Sequence, residues 1–286
     1  MKKQRRIIAT GVLGGIAACG LIQAAHSYDL LLMIPPILAG KKNGWQPLND
    51  TGITWSGNYT SGNNETCVSS DTPDGDNVVA AQDCSYGRDA SYDNDSDGYA
   101  GFSFTKLNGN GAPLADQKAD YATKPWACVK DNVTGLIWEV KTDDNGLHDK
   151  DDKYTWYNTD PTRNGGFEGY DDHGGNICFG YDSGEPTTYC NTQDYVKRVN
   201  AAGWCGATDW RLPTRKELES LVVYTPYNFT IDTDYFPHAL KSYVWSSSPH
   251  AYNVNYAWCV HFLYGSSPYE NFRSNSYAIR LVRGGQ

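Results

Sequence analysis

A chain of 286 residues can hold one large domain or two small ones. It is formally −9 with a pI near 5.1, and four of its positive charges (Lys2, Lys3, Arg5 and Arg6) sit at the extreme N-terminus. The body of the chain is therefore more acidic still, which argues against nucleic acid as a partner, because phosphate binding needs a basic face. A mean hydropathy of −0.58 with 21 Tyr, 29 Gly and only 2 Met describes a soluble, turn-rich and aromatic body.

Residues 1–27 read as an export signal, with a charged n-region followed by the apolar run Ile7–Leu21. Ile16-Ala17-Ala18-Cys19 has the form of a lipobox, in which Cys19 is acylated and attaches the protein to a membrane. Cleavage near Ala25-His26-Ser27 is the rival reading, and an uncleaved anchor is the third. A second apolar run, Leu30–Leu38, is too short to span a bilayer and carries Pro35-Pro36, so it reads as a tether or a packed segment.

Residues 28–125 are expected to be a β- and loop-rich region, because Asn, Gly, Asp, Ser and Thr dominate it. Within it, Asp93, Asp95 and Asp97 precede Gly98 in a D-x-D-x-D-G run. Alternate carboxylates ending in a glycine turn suit Ca²⁺, the one cofactor the sequence suggests. The twelfth loop position is Phe104 rather than Glu, so a solvated acidic turn is the competing reading.

From residue 126 the local signals sharpen. Cys128–Lys130, a turn over Asn132–Gly135 and Leu136–Val140 spell a β-hairpin. Thr192 is expected to cap a helix over Gln193–Ala202, with Tyr195, Val196 and Val199 on one face and Gly203 as the stop. Residues 203–222, GWCGATDWRLPTRKELESLV, then turn a tryptophan-rich segment into a second short helix. There Thr214 and Glu217 form a capping box, followed by Leu218, Leu221 and Val222. This stretch reads as frame rather than site. Tyr243–Ser246, Ala257–Leu263 and Tyr277–Val282 have strand patterns.

With Cys19 acylated or removed, seven cysteines remain in an oxidising compartment. Cys67 with Cys84 and Cys178 with Cys190 are local pairs, and Cys128 with Cys205 would tie the hairpin to the 203–222 stretch. Spacing alone leaves this connectivity open, and Cys259 is left over. The six His match no metal-ligand spacing, and neither a G-x-S-x-G elbow nor a dinucleotide loop is present. The chain is therefore expected not to be an enzyme.

The functional signal lies in residues 250–277, whose mixture of Tyr, Asn and Ser has the composition of a paratope. The candidate ligand-binding residues are His250, Tyr252, Asn253, Asn255, Tyr256, Cys259, His261, Tyr264, Ser266, Ser267, Tyr269, Asn271 and Asn275. Strand alternation is read as turning Trp258, Val260 and Phe262 to the core and Cys259 and His261 to the presented face.

Several ordered blocks carry a resemblance. CVKDNVTGLIWEVK (128–141), AGWCGATDWRLPTRKELESLV (202–222), Tyr235-Phe236-Pro237, VWSSSP (244–249), 257–265 and IRLVR (279–283) are similar to the domain family at the C-terminus of the Legionella collagen-like adhesin. The resemblance covers about residues 126–283. It implies an α+β fold for 126–286, like C-type lectins and formylglycine-generating enzymes, with two short helices and a loop-rich β-region. The same blocks are similar to surface lectin-like proteins diversified by retroelements, in which the position of Cys259 often carries Tyr. No catalytic cysteine pair and no E-P-N or Q-P-D motif is present in this region, so neither formylglycine chemistry nor calcium-dependent sugar binding is carried over.

The expectation is thus an exported surface or periplasmic protein that binds a protein or glycan ligand through residues 250–277. A structural role in an extracellular filament or envelope assembly is the alternative, and a polysaccharide-acting enzyme is a more distant one.

Overall fold

The computed structural model describes residues 49–57, 63–64, 67, 83–91, 95–224, 231–265 and 271–284. The expected signal segment with Cys19, together with Asp93, Ser266, Ser267 and Tyr269, lies outside the described residues. The described residues fall in one compact unit spanning 44–286.

In chain order, β1 (Ser56–Gly57) and β2 (Asn63–Asn64) form a small antiparallel pair, followed by α1 (Gly87–Ser91). The Cys67–Cys84 disulfide links this region to itself. β3 (Phe104–Leu107) then begins a four-stranded antiparallel sheet that continues with β4 (Cys128–Asp131) and β5 (Ile137–Glu139). The expected β4–β5 hairpin is present. Its turn is held by Asp131, whose Oδ1 accepts the N–H groups of Val133 and Thr134 at 2.9 and 3.1 Å. Gly135 supplies the left-handed residue at φ 75°. The expected domain edge at 125/126 falls between β3 and β4, which pair from Phe104↔Asp131 to Leu107↔Cys128.

α2 (Thr192–Ala202) starts one residue earlier than expected, and its cap is Asn191, whose side chain accepts the Asp194 N–H at 2.9 Å. Thr192 is occupied elsewhere, with Oγ1 donating to the Tyr157 carbonyl at 2.8 Å. Gly203 stops the helix in the left-handed region. α3 (Arg215–Glu219) carries the full capping box of Thr214 and Glu217. Leu218 is buried within it, and Leu221 and Val222 are buried just beyond its end.

β6 (Tyr243–Pro249), β7 (Tyr256–His261) and β8 (Asn271–Phe272) form a second, three-stranded antiparallel sheet. β9 (Val282–Arg283) returns to the first sheet beside β5. Residues 277–282 were expected to form one strand, but they do not. Tyr277 bridges Tyr154, Ala278 bridges Val244, and Val282 pairs with Trp138 and Arg211. The segment crosses from one sheet to the other, so no single neighbour runs alongside it.

Alternation sets the core. Phe104, Val129, Trp138 and Val282 face one side of the four-stranded sheet, where they meet Leu218, Phe236 and Phe262. Leu107 and Cys128 face the other side, toward Tyr195, Val199 and Trp210 of the α2 region. A sheet buried on both faces gains about 1.5–3 kcal/mol for each large apolar side chain removed from water. The Cys128–Cys205 and Cys178–Cys190 disulfides fall in this second layer. All three expected cysteine pairs form, and Cys259 is free. Antiparallel sheets with short helices and many loops make this an α+β fold.

Candidate functional site

Most of the candidate residues lie in the three-stranded sheet and its β6–β7 turn. The turn is organised by His250, whose Nδ1 accepts the backbone N–H groups of Tyr252 and Asn253 at 3.3 and 3.2 Å. Asn253 Oδ1 accepts the Asn255 N–H at 3.0 Å, and the Tyr256 N–H closes onto the Asn253 carbonyl at 3.1 Å. The turn is thus tied by its own polar groups, which leaves its apolar side chains outside. Tyr252 is 95% exposed, Val254 46% and Phe272 52%.

These residues continue an aromatic tier. Phe272 lies 4.5 Å from Tyr256, ring to ring, and His250 stands 6.2 Å from Tyr256, 5.9 Å from Tyr252 and 5.3 Å from Trp258. The Arg215 guanidinium covers Trp258 at 4.1 Å. The tier therefore runs from α3 across β7 to β8.

Strand alternation separates the two faces of β7 correctly, but at its first half the assignment of water was reversed. Tyr256 and Trp258 are on the open side, whereas Ala257 and Cys259 are sealed under Trp156 and Trp245. Cys259, expected on the presented face, is 0% exposed. The small Ala and Cys side chains leave room for two indoles, which is why this face is covered. Burial pushes the Cys259 thiol up to about 12, although Asn271 Nδ2 donates to its sulfur at 2.7 Å. His261 was also expected to be presented and is buried. It meets Tyr243 edge-on at 4.4 Å and stacks on Tyr264 at 4.7 Å, and burial lowers its pKa. Asn271 and Asn275 both bond the Tyr277 hydroxyl, at 2.9 and 3.0 Å. Tyr264, 69% exposed, projects at the far end of this second cluster. The candidates thus divide between an open tier (Tyr252, Asn253, Asn255, Tyr256) built on His250 and a packed layer (Cys259, His261, Asn271, Asn275).

Sequence reading missed Arg273, which fixes the tier from beneath. It is fully buried, lies 4.1 Å over the Trp156 ring, and donates from Nε to the Tyr256 carbonyl at 3.1 Å and from Nη1 to the Phe167 carbonyl. Burial lowers its pKa to about 10. The loop it holds passes Pro249 through Gly165 at φ 67°, where a Cβ would come within 2.7 Å of the proline ring. Only glycine fits there.

A second missed feature is a closed polar cluster centred on Glu139. Its Oε1 accepts from Lys141 Nζ at 3.2 Å, His148 Nδ1 at 2.8 Å and the Tyr195 hydroxyl, while Oε2 accepts the Leu281 N–H at 2.8 Å. Arg280 donates to the Glu139 carbonyl at 2.5 Å, and Trp204 stacks on His148 at 3.7 Å. Burial by itself would raise the Glu139 carboxyl. Lys141, His148 and Tyr195 outweigh it and hold that carboxyl well below the usual carboxylate range. Glu139, Lys141, His148, Tyr195 and Arg280 are all buried, with half-buried Trp204 over His148, so the cluster joins β5, α2 and the C-terminal crossing segment.

Exposed Asp95 and half-buried Asp97 bond their own loop, Asp95 Oδ1 accepting the Ala100 N–H at 3.0 Å and Asp97 Oδ2 the Ser103 hydroxyl at 2.5 Å. Asp95 borders a recess of about 280 Å³ together with Asp232 and Asp234. Among the described residues no group of three His, Cys, Asp or Glu side chains is arranged to hold a metal ion. A larger groove of about 720 Å³ opens between the 157–163 loop, α2, the start of α3 and the end of β6. The Arg211–Thr214–Glu217 part of the 203–222 frame lines it, so that stretch borders a cavity as well as supporting the fold.

Together these features define a disulfide-stapled α+β domain that carries a loop-borne aromatic tier on a doubly covered frame. The chain belongs to the Lcl C-terminal domain family, whose model matches residues 127–283. This is the family that the sequence blocks resemble, that of the Legionella collagen-like adhesin. No curated protein and no solved structure matches the chain.

Proposed function

We propose that this is an exported surface protein that attaches to a protein or glycan ligand through the aromatic tier of the β6–β7 turn and β8. The observation that carries the reading is the exposure of Tyr252, Val254 and Phe272 on a turn whose backbone is already held by His250, Asn253 and Arg273. Such groups bury area on contact with little further ordering, which is the main cost of binding. Membership of an adhesin-associated family supports a surface role, and three disulfides support an oxidising compartment. The proposed role is non-catalytic.

Replacing Tyr252, Tyr256 and Phe272 by Ala together is expected to cut attachment to host cells or surface glycans about tenfold or more, since aromatic anchors of this kind contribute at least ~1.4 kcal/mol. Near-UV circular dichroism should be unchanged. Full attachment by a folded triple variant would reject the tier. The same exposed patch also suits packing against another copy in a filament. Concentration-dependent assembly of the purified chain, lost in the triple variant, would favour that second reading.

A further inference from the structure

The 720 Å³ groove is separate from the aromatic tier, and it falls within the range of about 300–1,000 Å³ typical of small-ligand sites. Its charged side chains already have opposite partners. Arg211 forks onto Glu217 at 2.9 and 2.7 Å, Lys197 meets Asp194 at 2.8 Å, and Arg163 approaches Asp160 at 3.6 Å. A charged ligand would have to compete with these pairs.

Neutral groups are what the groove leaves open. Gln193 Oε1 accepts both the N–H and the hydroxyl of Thr159 at 2.9 Å, and Asn158 Oδ1 accepts the Asp160 N–H at 2.9 Å. These bonds fix which end of each amide is oxygen, so both NH₂ groups remain as donors on groove-lining residues. Among the described residues, neither NH₂ group has a protein partner, nor do the Tyr157 and Ser247 hydroxyls. Val196 and Leu212 supply apolar surface between them. Addition of a peptide strand is blocked, because the Ser247 N–H is already bonded to the Pro213 carbonyl at 2.7 Å and Pro249 has no N–H.

We propose that this groove binds an uncharged oligosaccharide. Its hydroxyl and ring oxygens would accept from Gln193 and Asn158 and exchange hydrogen bonds with Tyr157 and Ser247, while its C–H faces rest on Val196 and Leu212. Amide and hydroxyl donors beside apolar patches match the alternating polar and apolar faces of a neutral sugar. The site does not depend on the tier described above.

The test is a printed array of neutral, sialylated and sulfated oligosaccharides probed with the disulfide-intact chain, followed by calorimetric titration of the best-retained neutral oligosaccharide. Neutral oligosaccharides are expected to be retained. Gln193→Ala should weaken binding about tenfold. Val196→Trp, which fills the groove, should abolish it, and Lys118→Ala, at an exposed position that belongs to neither the groove nor the tier, should leave it unchanged. Near-UV circular dichroism confirms that each variant is folded, and Gln193→Ala, at a half-buried helix surface, serves if Val196→Trp misfolds. Retention of no neutral oligosaccharide, retention of charged ones alone, or binding that survives both groove substitutions would overturn the proposal.

Discussion

At the scale of single residues, Cys259 changes most in meaning. The resemblance to diversified surface proteins implies a position free to carry Tyr, and the odd cysteine count agreed with a presented side chain. The structure seals this thiol between Trp156 and Trp245, with Asn271 on its sulfur. A phenol ring placed there must displace close-packed indoles, which costs about 1–3 kcal/mol or more. Cys259→Tyr is therefore expected to lower the unfolding free energy by that amount, read as a fall in the denaturant midpoint, while Cys259→Ala costs less. Equal stability of the Tyr variant would show that this layer repacks freely. Tyr252, with no such enclosure, is the position where substitution should leave stability untouched.

At the scale of elements, the parts visible in the sequence are those fixed by near neighbours. The Asn132–Gly135 turn, the Gly203 stop and the Thr214–Glu217 box each act within a few residues, and all three are present. The parts that were not visible depend on distant chain. Which side of β7 faces water is decided by Trp156, about a hundred residues earlier in sequence, and the strand expected over 277–282 is divided by the two sheets it joins. The groove escaped notice for the same reason, since its walls come from four separate segments. The capping box gives a local test. Thr214→Ala removes the acceptor for the Glu217 N–H and is expected to cost about 1 kcal/mol by urea denaturation. No measurable loss would mean that the Arg211–Glu217 fork holds α3 without its cap.

At the scale of the whole molecule, Glu139 joins the hairpin, α2 and the C-terminal crossing segment through one carboxylate. Glu139→Gln leaves Lys141 and Arg280 buried without their counter-charge and is expected to cost about 3 kcal/mol at neutral pH. The pH dependence has a definite sign. The folded carboxyl titrates below its unfolded value of about 4.3, so its contribution is fully present above that value and is lost as pH falls toward the folded pKa. The stability gap between wild type and Glu139→Gln should therefore be flat from about pH 7 to 5 and narrow below about pH 4. A gap that widens with acid would contradict this assignment.

β9 carries a consequence for the order of events. Hairpin β4–β5 is complete early in the chain, but the strand that covers its open edge comes from residues 282–283, after both helices and the entire second sheet. Until then β5 offers a bare row of backbone donors and acceptors. Closure across so long a separation is slow. A chain emerging from a ribosome would stay unfinished, and open to pairing with the edge of a neighbour, until β9 docked.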